Sequence, residues 1–317
     1  MVKELTKKFR HKISFIIATK DRPVELRRML DSIILGTTLP DEIIIVDGGQ
    51  KKVAPILEEF PGLKTRYMRC IPPSATKQRN LGIQSASPSS KLCGFLDDDI
   101  ILRPRALERM LTFWEGANDS LGGAAFNMIN HPRKSAQTLK SLKIIERLGL
   151  YSDKPGQVMA SGFQTMIGRV EQTIRVQWLP SGASVFRREV FSKNHFDEWF
   201  EGYSYLEDLD FSYSLSKIYD LAIVAEAEYY HYPGPKGRGN GIAFGLREIN
   251  NRIYFVKKNP ELSFAKCFLG LIVRMALSLI MAVRTFRPYD WQRVWGNFMG
   301  IGTLVLGQTR LDAKCKN

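Results

Sequence analysis

Between residues 13 and 97, short apolar runs alternate with stretches of helical periodicity, and that alternation confines the chain to an α/β architecture. Residues 13–18 read Ile-Ser-Phe-Ile-Ile-Ala, the pattern of a strand buried on both faces of a parallel sheet, and Thr19-Lys-Asp-Arg-Pro23 ends it with loop chemistry. Leu26, Met29, Leu30, Ile33 and Ile34 then recur at helical spacing, with Pro23 suited to the first turn and Gly36 to the stop. Residues 42–47 repeat the strand pattern and end in Asp47 and two glycines. A short helix through Val53, Ile56, Leu57 and Phe60, a strand near 66–70, a basic helix over 75–83 and a strand over 91–97 complete the series. Right-handed βαβ units of this kind bind ligands outside the carboxyl ends of their strands. Thr19, Asp21, Arg22, Asp47 and Asp97 to Asp99 therefore fall on one rim.

Asp97-Asp98-Asp99 runs an apolar strand straight into three like charges, which is most easily tolerated with a cation among them. Alone, such a run is more often a solvated acidic turn than a metal site. No Gly-x-x-x-x-Gly-Lys-Ser/Thr loop follows the first strand and no Gly-x-Gly-x-x-Gly opens the first helix, so P-loop and standard dinucleotide chemistry are disfavoured. A nucleotide held without a glycine cradle needs another counter-charge, and a divalent metal on the aspartates would supply it.

Read in order, Ala18-Thr-Lys-Asp-Arg-Pro23, Val46-Asp47, Gln78-Arg-Asn-Leu-Gly82, Phe95-Leu-Asp-Asp-Asp99, Ser181-Gly-Ala-Ser184 with Phe186-Arg-Arg-Glu-Val-Phe191, and Glu207-Asp208 resemble the motifs of family 2 glycosyltransferases. The resemblance covers residues 13–231. It implies a GT-A fold, like that of nucleotide-diphospho-sugar transferases, with a mixed, mainly parallel sheet covered by helices. It further implies an inverting reaction, a nucleotide-diphosphate sugar donor, Mg²⁺ or Mn²⁺, and a carboxylate base.

Residue by residue, the resemblance puts Asp47 on the nucleotide base or ribose, against the alternative of capping the Gly48-Gly49 turn. Thr19, Asp21 and Arg22 help hold the nucleotide, Arg79 and Asn80 contact the donor, and for Lys77 a solvated helix face stands beside a donor contact. Alternate side chains of an extended segment share a direction, so Asp97 and Asp99 face the metal and sugar while Asp98 points elsewhere within the donor site. Asp99 is the expected metal ligand and Asp97 the contact to ribose or sugar. Asp208 is the expected general base, with Glu207 as the alternative base or a holder of an acceptor hydroxyl. The competing role for both is to complement a helix N-terminus. His231 closes an apolar run and can complete the metal's ligands.

Ser181, Gly182 and Ala183 are small enough for close approach of acceptor or sugar. Trp178 would stack on a sugar or fill the core. A helix through Leu107, Met110, Leu111 and Phe113 and a strand over 122–129 should cover the sheet, and the poorly patterned 131–177 should border the acceptor. The run 233–241, rich in glycine and proline and carrying Lys236 and Arg238, reads as a closing loop or as a linker.

Three segments are expected: a basic tail over 1–12, a catalytic domain over 13–245, and a basic, apolar helical region over 246–317. Residues 267–283 are apolar apart from Arg274. A charge near the midpoint is awkward for a membrane span. At about 100° per residue Lys266, Arg274, Ser278 and Arg284 share a sector of about 120°, the form of a helix lying in an anionic membrane surface. Trp291, Trp295, Phe298 and 300–306 continue the apolar theme, and the competing reading is a helix pair packed on the catalytic domain. The net charge of +14 requires an anionic partner, and since much of it lies in this tail, nucleic acid is not expected. Residues 1–12 lack the apolar core of a signal peptide, and Cys70, Cys93, Cys267 and Cys315 show no pairing or zinc spacing. The expected setting is the cytoplasmic face of the cell membrane, with a glycan or lipid-linked acceptor in surface polysaccharide synthesis. A nucleotidyltransferase and a non-catalytic membrane adaptor are the rival readings.

Overall fold

The computed structural model describes residues 9–131, 146, 149–150, 152–234 and 240–305. Most of the expected basic tail, most of 132–151, the basic loop residues 235–239 and everything from Leu306, including Cys315, lie outside the described residues. Two compact units form, one from Met1–Arg133 with Ile167–Gly234, the other from Lys134–Met166 with Pro235–Asn317.

In the first unit β1 (Ile13–Thr19), β2 (Glu42–Asp47), β3 (Thr65–Arg69) and β4 (Leu92–Leu96) pair in parallel in the order β3-β2-β1-β4. The sheet continues through β5 (Ile100–Leu102), β6 (Leu121–Met128), β7 (Ile174–Val176), β8 (Ala183–Arg187) and β9 (Asp220–His231) in the order β4-β8-β6-β9-β5, with β7 on β9. β8 runs antiparallel to β4 with Ala183 opposite Leu96, so its first residues lie at β4's carboxyl end. β9 pairs with β6 in parallel, and its last three residues pair antiparallel with β5, His231 opposite Ile100. Where the β6–β9 register shifts, the buried Asn127 amide donates to the carbonyls of Val170 and Ala225, both at 2.8 Å. Its side chain thereby satisfies backbone groups that the ladder leaves unpaired.

Helices cover both faces. α1 (Pro23–Ile34) and α4 (Ala106–Glu115) bury Leu26, Met29, Leu30, Met110 and Trp114 in one core with Phe15, Ile17, Ile43 and Ile45. α2 (Ala54–Leu57) is a single turn beside them. α3 (Ala75–Ser85) lies on the opposite face, where a Cβ on Gly82 would fall 2.3 Å from Ile16 Cγ2. That approach buries Gln78, Arg79 and Asn80, so the helix that reads as basic turns these polar residues inward. On the same face Phe95, Phe186, Phe191, Phe196 and Phe211 form an aromatic cluster, with Phe211 supplied by α5 (Glu207–Ser216). Aromatic pairs of this kind contribute about 0.5–1.5 kcal/mol each beyond area burial.

The second unit contains α6 (Gly241–Lys258), α7 (Phe264–Thr285) and α8 (Pro288–Val305). The division expected between 245 and 246 falls inside α6. Asn240 caps α6 by accepting from the Ala243 amide, Ser263 caps α7 through the Lys266 amide, and Phe286, at φ 51°, ends α7. Four glycines that the sequence reading missed bring α6 and α8 together: Gly245 lies against the Gly296 backbone, Gly241 against Tyr289 and Arg293, and Gly300 against Ile249. A Cβ on Gly245 would stand 2.2 Å from the Arg293 carbonyl oxygen, and one on Gly296 equally close to that of Ile242. Gly245→Leu must push the helices apart, and overpacking of this kind costs about 1–3 kcal/mol. Faster amide exchange in both α6 and α8 is the expected result, and unchanged protection would show that the pair does not depend on this contact.

Glu248, buried between the helices, accepts from Arg274 Nε at 3.0 Å, from Arg293 Nη2 at 2.6 Å and Nε at 3.0 Å, and from Asn297 Nδ2 at 3.2 Å. Burial alone would raise its carboxyl, but the Arg293 hydrogen bond and the charges of Arg274 and Arg293 hold it at about 2. This network corrects the expected polar sector of α7. Ser278 is buried, and Arg274, its side chain still 45% exposed, turns its guanidinium to Glu248, so only part of that sector faces protein, while Lys266 and Arg284 are exposed.

Candidate active site

The rim predicted from the alternation exists, and its residues divide into those that brace it and those that converge on it. Asp47, at the end of β2, has no exposed surface. Its carboxylate accepts from the amides of Gly49 at 2.7 Å and Val53 at 3.2 Å, from the Tyr67 hydroxyl at 2.9 Å and from Arg69 Nη1 at 2.8 Å. These are the contacts of the turn-capping alternative, and β3 adds to them by placing Arg69 directly opposite Asp47 in register. Tyr67 and Arg69 were missed, since a Thr-Arg-Tyr-Met-Arg strand carries no signal for which carboxylate it faces.

Other expected contacts also brace the rim. Asp21, at φ 54°, accepts from the Gln50 amide at 2.8 Å and joins the loops after β1 and β2. Gln78, also missed, donates to the carbonyls of Thr19 at 2.9 Å and Val46 at 2.7 Å, cross-linking the ends of those strands. Asn80 exchanges hydrogen bonds with the Phe196 backbone at 2.9 and 3.0 Å. Trp178 is buried, in agreement with the core alternative. Thr19 Oγ1 donates to Asp98 at 2.7 Å, and Arg22 Nη1 reaches Asp98 at 2.9 Å and Asp99 at 2.8 Å. Burial pushes the Asp98 carboxyl up to about 7 despite Arg22 and Thr19.

Residues 97–99 form a turn rather than an extended segment, and Asp98 and Asp99 share the Arg22 guanidinium, so the expected alternation does not separate these two carboxylates. Asp97, Asp99 and His231 present ligand atoms that all lie within 4.8 Å of one another. His231 Nε2 stands 3.1 Å from Asp99 Oδ1, carried there by the β5–β9 pairing. Burial opposes charge on both, but the hydrogen bond between them and the surrounding charges prevail, lowering Asp99 and raising His231 from their ordinary values. Two carboxylates and an imidazole are hard and borderline donors that suit Mg²⁺ or Mn²⁺.

A second cluster touches the first through Arg79. Its guanidinium, buried over the Phe196 ring, donates to Glu207 Oε1 at 2.6 Å and to Asp97 Oδ1 at 3.2 Å. Ser181 Oγ lies 3.4 Å from Glu207, and the Asp97 amide donates to the Gly182 carbonyl at 2.8 Å. A Cβ on Gly182 would sit 2.6 Å from Asp97 Oδ2, so only glycine leaves that carboxylate in place. Ala183 is buried as the first residue of β8. Glu207 and Asp208 open α5, and the residues before them are held in unusual backbone geometry, with Ser204 at φ 52° and Leu206 at φ 76°. That segment is stapled to the start of α3, where Thr76 Oγ1 donates to the Phe200 carbonyl at 3.0 Å and the Ala75 amide to that of Gly202 at 3.2 Å. Such strain persists only where surrounding structure imposes it. Burial, then the adjacent Asp208 charge, pushes Glu207 up to about 8 against the pull of Arg79, and burial raises Asp208 as well. Asp208 is only half buried and uses Oδ1 on the Leu209 amide, so it is the more accessible carboxylate of the two.

The model of glycosyl transferase family 2 matches residues 14–193, more than half of the chain. This protein belongs to glycosyl transferase family 2. An uncharacterized glycosyltransferase of Bacillus subtilis, YwdF, is 35% identical over 101 residues, which cover 31% of this chain and 37% of that relative. Among solved structures, S. aureus TarS 1-349 in complex with UDP-GlcNAc superposes with a TM-score of 0.56 at 15% identity, covering 90% of this chain and 78% of that one. The mannosyltransferase PcManGT from Pyrobaculum calidifontis, in complex with GDP-Man and Mn²⁺, reaches 0.57 at 12% identity over 92% and 88%. These likenesses establish the GT-A-type fold of the family 2 chain.

Proposed function

We propose that this family 2 chain transfers a glycosyl group from a nucleoside-diphosphate sugar to a hydroxyl of a glycan or lipid-linked acceptor, with inversion at the anomeric carbon. The observation that carries this reading is the convergence of Asp97, Asp99 and His231 beside Glu207 and Asp208 at the carboxyl ends of the parallel strands. The UDP-GlcNAc and GDP-Man complexes of the two structural neighbours, one with Mn²⁺, support the donor class.

Asp97, Asp99 and His231 would hold a divalent ion, which when bound would offset charge on the diphosphate leaving group. Asp208 takes the proton from the acceptor hydroxyl as that oxygen attacks the anomeric carbon and the bond to the diphosphate breaks. One displacement without an enzyme nucleophile inverts the centre. Arg79 and Glu207 fix the base, Arg22 and Thr19 fix the aspartate loop, and Gly182 keeps the floor beside Asp97 clear. The apolar α7, long enough to cross a membrane, supports association of the helical region with the cytoplasmic membrane surface, in line with a role in surface polysaccharide synthesis.

Thermal-shift titration with UDP, GDP and dTDP sugars, with and without Mn²⁺, tests the reading. One donor class should stabilise the protein more with Mn²⁺ than without, and Asp99→Asn should remove the Mn²⁺-dependent part. A protein that binds no nucleoside diphosphate and turns over none of the donors would refute it.

A further inference from the structure

The three helices of the second unit are turned with their polar groups inward. The buried line of α7 is Cys267, Gly270, Leu271, Ser278 and Ala282, and beside it Arg274 reaches Glu248. The opposite line carries Leu269, Ile272, Ile280 and Val283, each at least 37% exposed. On α8 Val294, Gly296, Asn297 and Gly300 are buried, whereas Trp291, Trp295 and Phe298 are exposed, Trp295 to 61%. An outward apolar face on two consecutive helices is larger than scattered surface leucines explain.

We infer that this α7–α8 face seats in one leaflet of an anionic phospholipid bilayer, with α7 lying along the surface rather than crossing it. The inference rests on the membrane association proposed above and defines its geometry. Length alone permits a span, because 22 residues reach about 33 Å. Crossing, however, would carry Glu248, Arg274, Arg293 and Asn297 into hydrocarbon together with the α6 backbone that holds them. Lying flat keeps that network on the protein side and immerses only the apolar line. Lys266 and Arg284 flank that line at the two ends of α7, and Arg287 follows, all exposed, so the rim carries positive charge. This matches an anionic head-group layer, where each such cation contributes about 1 kcal/mol. Exposed tryptophans suit the same boundary.

The full-length protein, with Cys70 and Cys315 replaced by serine, is labelled with a depth-reporting fluorophore at Leu269→Cys, Ala276→Cys or Val283→Cys, which share one line along α7. Vesicles of phosphatidylcholine with 30% phosphatidylglycerol, containing brominated acyl chains, read the depth. Equal, shallow depths at the three positions are expected, whereas a deepest point at 276 between two shallow ends would show a span and overturn the inference. Ile272→Glu/Ile280→Glu should lower vesicle co-sedimentation at least tenfold while leaving the donor-induced thermal shift in place. Unchanged co-sedimentation, or conversion of a dimer to a monomer in lipid-free buffer, would assign the face to another role. If the unsubstituted protein sediments with no vesicle, the membrane reading itself fails, which is distinct from sedimentation with a spanning depth profile.

Discussion

Asp208→Asn should lower transfer by about 10²–10⁴-fold while leaving the donor-induced thermal shift within twofold of the parent protein, because general base catalysis contributes on that scale and the amide preserves shape. The Leu209 amide bond to Oδ1 can persist with the asparagine carbonyl, so α5 keeps its first turn. Burial raises the Asp208 carboxyl above its ordinary range, and the base works only when ionised. Activity should therefore fall as pH drops through a point above the usual aspartate range. Since Asp208 and Glu207 interact, that limb belongs to the pair. Single-turnover rates across pH with a fixed donor decide the matter. Loss of donor binding in the Asn variant, with little change in the rate once bound, would move Asp208 from base to donor ligand.

Arg79→Met should cost about 1 kcal/mol more near pH 8.5 than near pH 5, because the guanidinium no longer offsets ionisation of a buried carboxylate. The effect amounts to about 1.4 kcal/mol per pH unit beyond the pKa of that carboxylate. Glu207 is the group left behind, and its folded pKa of about 8 lies above its unfolded value of about 4.3. A carboxyl raised in this way contributes stability fully below the unfolded pKa and loses it as pH rises through about 8. In the variant the opposing guanidinium is gone, so Glu207 resists ionisation further. The difference in melting temperature between variant and parent should be largest near pH 8.5 and smaller near pH 5, where Glu207 is neutral in both. Glu207→Gln added to Arg79→Met should recover much of the alkaline loss. An equal loss at both pH values would mean that Arg79 acts by packing over Phe196, with its charge incidental.

The sequence was most informative where physics is local. β2 occupies the expected 42–47, and α1 carries the five apolar positions predicted for it, because strand and helix periods are written in neighbouring residues. Alternation did not carry through Asp97 to Asp99, where the chain turns and Arg22 joins Asp98 to Asp99. The small-residue run 181–184 disclosed neither that β8 would reverse direction nor that Gly182 would lie under Asp97, since strand direction is set by partners far along the chain. Asp47 shows the same limit. Its position at a strand end was legible, whereas its saturation by Tyr67 and Arg69 depends on a register chosen by β3.

The helical region shows the division most sharply. Composition and spacing alone established that α7 is apolar with a polar sector, and that the acidic Glu207-Asp208 pair opens a helix. Tertiary structure alone decided which way the sector faces. Glu248, twenty-six residues before Arg274 of α7, turns that guanidinium toward itself, and the glycines of the α6–α8 contact let α8 close over the same carboxylate. A helical wheel specifies relative angles around one axis but not the absolute rotation. That rotation is set by what neighbouring helices can bury and pair, and here the cost of an unpaired buried carboxylate outweighs the gain from hiding leucines and isoleucines.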